Sequence, residues 1–140
     1  MRFAFLIAAA SLALAFPFGT AQAAVMASGQ FHDGPHAPED RAKGTVEIVK
    51  TDGGGYELRL SDDFASDKGP DLVMVMSTVA DAKDDATVAK SELLNLGPLK
   101  SLTGAQSFAL PADFDASKWK SVAVWCKKFN VLFGIATLAQ

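Results

Sequence analysis

The sequence predicts an all-β fold: an antiparallel β-sandwich or partly closed barrel of about seven to eight short strands, with one short helical turn. Three observations lead there. Short apolar runs alternate with polar residues at period two, as in GTVEIVK (44–50) and YELRLS (56–61). Glycine- and proline-bearing turns separate the runs, at 51–55, 69–71, 97–98 and 111. No segment of the region after residue 23 sustains the 3.6-residue apolar repeat of a long helix.

Taken in order, GTVEIVK sets Val46 and Ile48 on one face against Thr45 and Glu47 on the other. The turn TDGGG leads into YELRLS, with Tyr56, Leu58 and Leu60 opposite Glu57, Arg59 and Ser61. Glycine-rich connection and matched alternation make the pair a hairpin. DLVMVMSTV (71–79) is apolar nearly throughout, the pattern of a strand covered on both faces. DAKDDATVAKSE (81–92) is charged and reads as a solvated connection with at most one helical turn. ELLNLGPLK (92–100) is a short apolar segment, and AQSFALP (105–111) is a strand stopped by Pro111. DFDASKW (113–119) reads as a single turn of helix. The chain closes on a second hairpin, SVAVWCKK and NVLFGIATL.

Ahead of this domain stands a leader. Met1-Arg2 precedes an apolar run from Phe3 to Phe16, a break at Pro17 and the sequence AQA at 21–23. A basic start, a short apolar stretch and a small-x-small end describe a secretory signal peptide over residues 1–23. The run falls short of the ~20 residues that span a bilayer. Removal near Ala23 is expected, with an uncleaved anchor as the alternative. The expected location is periplasmic or secreted, with no membrane span once the leader is gone.

Charge narrows the partners. The chain carries 13 Lys and Arg against 16 Asp and Glu, a formal charge of −3. Without Arg2 it is −4, and the charges are interspersed. Nothing favours nucleic acid or an anionic membrane surface. There is no glycine-rich phosphate loop, no Gly-x-Ser-x-Gly and no Cys-x-x-Cys, so neither a hydrolase nor a dinucleotide enzyme is supported. An independent enzyme is not indicated.

One residue stands out. Cys126 is the only cysteine, so it has no partner for an internal disulfide. Alternation places it on the face of Val122 and Val124, the core face, and makes it the last such residue before Lys127-Lys128. That position is the rim of the β framework. The adjacent cations favour a thiolate if the sulfur meets solvent, and burial opposes it. Cys126 is thus either a packed apolar filler, half of an intermolecular bridge, or a reactive group. Trp125 points to the opposite face, and Trp119, which precedes the strand, is placed to cover the rim.

Other candidates carry less. His32 and His36 are four apart with Gly34 and Pro35 between them, which disfavours a helical metal pair. Were the first loop to fold over the rim, they would converge with Cys126 as a copper or haem site. Otherwise they are two solvated loop histidines. Met74 and Met76 share a strand face at a spacing used for copper(I), but a core strand explains them better.

The closing stretch LTGAQSFALPADFDASKWKSVAVWCKKFNVLFGIATL resembles the end of the DM-thirteen domain, an electron-transfer family. Matching pieces are Gly29-Gln30-Phe31, Gly44 leading TVEIV, YELRLSDDF, GPDLVMVMS, Gly104-Ala105-Gln106, Leu110-Pro111, and Ser121-Val122-x-x-Trp125-Cys126 with Phe129. The resemblance spans roughly residues 28–139. It implies redox chemistry at the cysteine in the position of Cys126, as a bare thiol or as a ligand to a prosthetic group such as haem. The family's histidine stands closer to the glycine of the first long strand than His32 or His36 stands to Gly44, so the resemblance carries no ligand role to either. It implies a small exported electron-transfer accessory with a redox partner protein. The alternative from the residues alone is a non-catalytic binding module in which Cys126 is packing.

Overall fold

A computed structural model describes residues 23–140 and shows nine strands and one short helix. The strands are β1 (Ala24–Asp33), β2 (Ala42–Lys50), β3 (Tyr56–Leu60), β4 (Ala65–Ser66) and β5 (Leu72–Ser77). After helix α1 (Asp85–Lys90) come β6 (Leu93–Pro98), β7 (Gln106–Ala109), β8 (Ser121–Cys126) and β9 (Val131–Thr137). The proposed leader, except its last residue Ala23, lies outside the described residues. Among those described, no helix is long and apolar enough to cross a membrane.

Eight strands form one antiparallel sheet in the order β6-β5-β8-β9-β1-β2-β3-β7, with the small β4 beside the start of β2. The end strands β6 and β7 approach each other, so the sheet curls into a nearly closed barrel. The partly closed barrel is therefore the form the β framework takes. A strongly twisted sheet with apolar side chains on its concave face closes this way because closure both buries that face and removes exposed edges.

The predicted hairpins form. β2 and β3 pair from Val46↔Leu60 to Lys50↔Tyr56, across a turn in which Thr51 N–H donates to the Gly55 carbonyl at 2.8 Å. β8 and β9 pair from Ser121↔Thr137 to Cys126↔Val131, with one irregularity after Val124. Asn130 takes the left-handed conformation, φ 53°, that this tight turn requires and asparagine tolerates.

Two apolar layers hold the molecule. Val46, Ile48, Leu58, Phe64, Met74, Met76, Val122 and Val124 fill the barrel interior. Both methionines are fully buried there, as a core strand requires. Phe31 and Phe64 meet edge-to-face, ring centroids 5.7 Å apart. Outside the wall, Val73, Val75, Ala123, Trp125, Leu132 and Ile135 form a second layer, roofed by Ala82 and Val88 from the α1 region. This roof explains why β5 and β8 are apolar on both faces. Each such side chain stabilises the fold by roughly 1.5–3 kcal/mol when withdrawn from water.

One local expectation holds and one needs correction. The helix lies at 85–90, inside the charged connection, with Asp84 as N-cap accepting Thr87 N–H at 2.7 Å. The 113–119 stretch forms hydrogen-bonded turns instead of helix: Phe114 N–H donates to Pro111 O and Lys118 N–H to Asp115 O. Asp115 accepts from Ser117 N–H and Oγ, the local bonding that competes with helix. The strand β1 was not resolved as a strand by periodicity, because its exposed start blurs the alternation.

Gly44 marks where β2 changes neighbours. Ala42 and Lys43 pair with β4, while Gly44 onward pairs with β1, and from Val46 with β3 too. Its φ of +113° suits glycine, and a Cβ would fall 2.6 Å from Phe64 Cα. The kink sends the first part of β2 away from β1 and opens the surface beside it.

Candidate functional site

Cys126 ends β8 on the inner face, paired with Leu72 of β5 and Val131 of β9. It is 1% exposed and joins the barrel core. It also lines a cleft of about 220 Å³ at the end of the barrel, walled by Phe129, Val131, Phe133, Asp40 and the Lys68-Gly69-Pro70 loop. Cys126 is thus covered from solvent in this conformation while bordering a cleft that opens to the surface. Its place on the core face, last before the lysine pair, is the one alternation predicts.

The aromatic surroundings differ from expectation. Trp125 faces the outer layer, as predicted, and is buried beneath the α1 region. Trp119 does not cover the thiol. It lies beyond the opposite end of β8, seven residues from Cys126, or roughly 20 Å along an extended chain. The aromatics at the mouth are Phe129 and Phe133, from the β8–β9 turn and β9.

The histidines lie elsewhere. His32 pairs with Ile135, an outer-layer residue, while its neighbour Phe31 points into the barrel. Side chains opposite one another on neighbouring strands share a face, so His32 lies across the wall from Cys126. His32 Nε2 meets Asp81 Oδ1 at 2.9 Å, and His36 Nε2 meets Asp85 Oδ2 at 2.6 Å. Asp85 Oδ1 also accepts Leu132 N–H at 2.8 Å. The hydrogen bond with Asp85 raises the His36 pKa above its ordinary value, assisted by the negative charges of Asp85 and Asp40. Asp81 is held below the usual carboxylate range by Lys83 first and by His32 second. The two histidines tie the end of β1 and the β1–β2 loop to the α1 region and do not converge on the thiol. These bonds join residues 49 apart, so no local sequence pattern announces them.

The donors near Cys126 do not fit the cofactors considered. No histidine lines its cleft, and the volume lies below the 300–1,000 Å³ usual for pockets holding drug-sized ligands, smaller still than a haem needs. Among the described residues no three His, Cys, Asp or Glu side chains gather as metal ligands. What the site can do chemically is therefore what a thiol can do.

A larger cleft of about 450 Å³ adjoins this one, where the residues of β2 before Gly44 diverge from β1. Phe31 and Ala65 are among its apolar lining, and Arg41, Lys43, Ser66 and Asp67 among its polar lining. Arg41 and Asp67 line this larger cleft, and their chain neighbours Asp40 and Lys68 line the smaller one. Between them stands a clasp: Asp67 Oδ2 accepts Arg41 N–H at 2.9 Å and Nε–H at 3.3 Å, and Asp67 N–H donates to Arg41 O at 2.9 Å. It anchors the loop that walls the thiol. Sequence reasoning missed it, because Arg41 and Asp67 lie in segments without periodicity.

A model of the family described as electron transfer DM13 matches residues 30–138, most of the chain, including every wall of the Cys126 cleft. The chain belongs to the DM13 family. No curated protein and no solved structure matches it. The family supports a general electron-transfer role for this DM13 domain, and with it the existence of a redox partner.

Proposed function

We propose that this DM13 domain is a small exported electron-transfer accessory whose redox group is the Cys126 thiol. The observation that carries the reading is the position of the chain's single thiol. It sits at the end of a core strand, bordering a cleft on the surface, inside a domain of an electron-transfer family. A lone thiol without a bound cofactor can exchange with a partner's disulfide. Cys126 Sγ as thiolate attacks one sulfur, a new S–S bond forms as the partner's breaks, and the second sulfur leaves as a thiolate. A thiol of the partner or of a small-molecule pool then resolves the mixed disulfide, since this chain has no second cysteine. That is accessory chemistry, without independent turnover. Export rests on the leader at residues 1–23 and suits a compartment where disulfides persist.

The competing reading is a binding module in which Cys126 only packs, and the 1% exposure favours it. Incubation of the native protein with glutathione disulfide separates the two. The redox reading expects a mixed disulfide by intact-mass measurement, reversed by reductant and absent in Cys126→Ala. An adduct seen only after unfolding would leave the cysteine a packing residue. Visible spectra after adding haem or copper test the ligand version, for which no change is expected.

A further inference from the structure

The turn joining β8 to β9 carries chemistry that neither the barrel core nor the thiol uses. Phe129 is 62% exposed, the most exposed of the large apolar side chains described. Lys127 and Lys128 precede it, and Lys128 Nζ stands 5.4 Å from the centre of its ring. Lys68 is exposed and lines the same cleft as Phe129. Among the described ion pairs none involves Lys68, Lys127 or Lys128. The carboxylate of Asp40 shares the cleft, and Asp71 is held beside the turn, where its carbonyl accepts Lys127 N–H at 2.9 Å. The surface is patterned: cations around an aromatic tip, with Asp40 and Asp71 beside them. It is also rigid, because the tip is closed by the Cys126↔Val131 pair and the left-handed Asn130. An exposed phenylalanine costs solubility, and a fixed backbone at the turn lowers the entropic cost of docking.

We propose that this turn is the docking surface for an acidic face of a partner protein, with Phe129 entering an apolar hollow and Lys68, Lys127 and Lys128 meeting carboxylates around it. The proposal deepens the electron-transfer reading, since it brings the partner to the mouth over Cys126. Charge complementarity selects the occupant. In a chain of net charge −3, unpaired lysines gather here, and such patches steer acidic partners. A bilayer fits less well. One aromatic and three lysines give weak interfacial binding, and lipid headgroups, unlike the fixed carboxylates of a folded partner, cannot be patterned to avoid Asp40 and Asp71.

The test is titration of the isotope-labelled protein, followed by amide NMR, with a glutamate-rich peptide bearing a central leucine and with its lysine-rich counterpart. Shifts are expected at Lys68 and at residues 127–130, for the acidic peptide only. They should fade as salt rises from about 10 mM to about 1 M and the screening length falls from about 30 to about 3 Å. Lys127→Glu with Lys128→Glu should weaken binding about tenfold or more. Phe129→Ser should weaken it while leaving the salt dependence in place. These side chains are exposed, so the variants fold, which the unchanged remainder of the spectrum will verify. Shifts that persist in Cys126→Ala, or alongside an inert thiol, would still support docking while the redox assignment fails. Equal response to both peptides, shifts located elsewhere, or binding to phosphatidylglycerol vesicles without response to the acidic peptide would overturn the proposal.

Discussion

Replacing Asp67 by alanine should open the route to Cys126 without unfolding the barrel. The substitution removes the acceptor for Arg41 N–H at 2.9 Å and for Arg41 Nε–H at 3.3 Å. It leaves the bonds from Asp67 N–H to Arg41 O and from Ser66 N–H to Leu102 O. The backbone bond contributes about 0.5–1.5 kcal/mol net, and the ion pair about 0–1 because both side chains are more than a third exposed. Local closure of the 67–70 loop should therefore weaken by about 1–2 kcal/mol, a rise in its open population of roughly five- to thirtyfold. The assay is the rate at which dithiodipyridine, a small neutral disulfide, labels the native thiol, with urea unfolding of the same variant as control. The expected result is faster labelling by that factor and a smaller change in global stability. An unchanged rate, or one that rises only in step with global unfolding, would show that the clasp does not guard the sulfur.

Gly44→Ala should cost at least about 2 kcal/mol, from strain at φ +113° and from a Cβ at 2.6 Å from Phe64 Cα; a urea midpoint near wild type would contradict the described turn of β2. Phe64→Ala should cost about 3–5 kcal/mol, since the ring is 1% exposed and packs edge-to-face on Phe31; a loss under about 1 kcal/mol would mean the core is not packed as described. The His36 bond to Asp85 gives a pH signature. A folded pKa above the ordinary 6.5 means stabilisation that is complete below that value and fades as pH rises through the raised one. The stability difference between wild type and His36→Ala should be larger at about pH 5.5 than at about pH 8.5, and the reverse order would sink the assignment.

Where the sequence spoke clearly, periodicity was the reason. GTVEIVK and YELRLS alternate because one face of each meets the barrel core and the other carries the polar residues, Val49 excepted, which is buried. LVMVMS and SVAVWC are apolar on both faces because the α1 region roofs the outer wall, so a short apolar run was legible as a doubly covered strand. Cys126 was placed on the right face and at the right end by the same rule. What covers it was not legible. The loop 67–70, Asp40 and Phe133 reach the thiol through tertiary folding, and Trp119, near in sequence, is carried away by the length of β8. The choice between sandwich and barrel stayed open for a related reason. Closure depends on twist and on the meeting of β6 with β7, neither of which is written in local alternation. Helix α1 was legible only as one helical turn in a charged stretch, because only Val88 of it is buried.

The central claim is that the sulfur is reached through its cleft by a local movement of the walls. Labelling of Cys126 in the wild-type protein across low, non-denaturing urea concentrations tests it most directly. The account predicts a measurable rate that is nearly independent of urea and far above that allowed by global unfolding. A rate that climbs with urea along the global unfolding curve would mean that the thiol is reached only when the barrel comes apart.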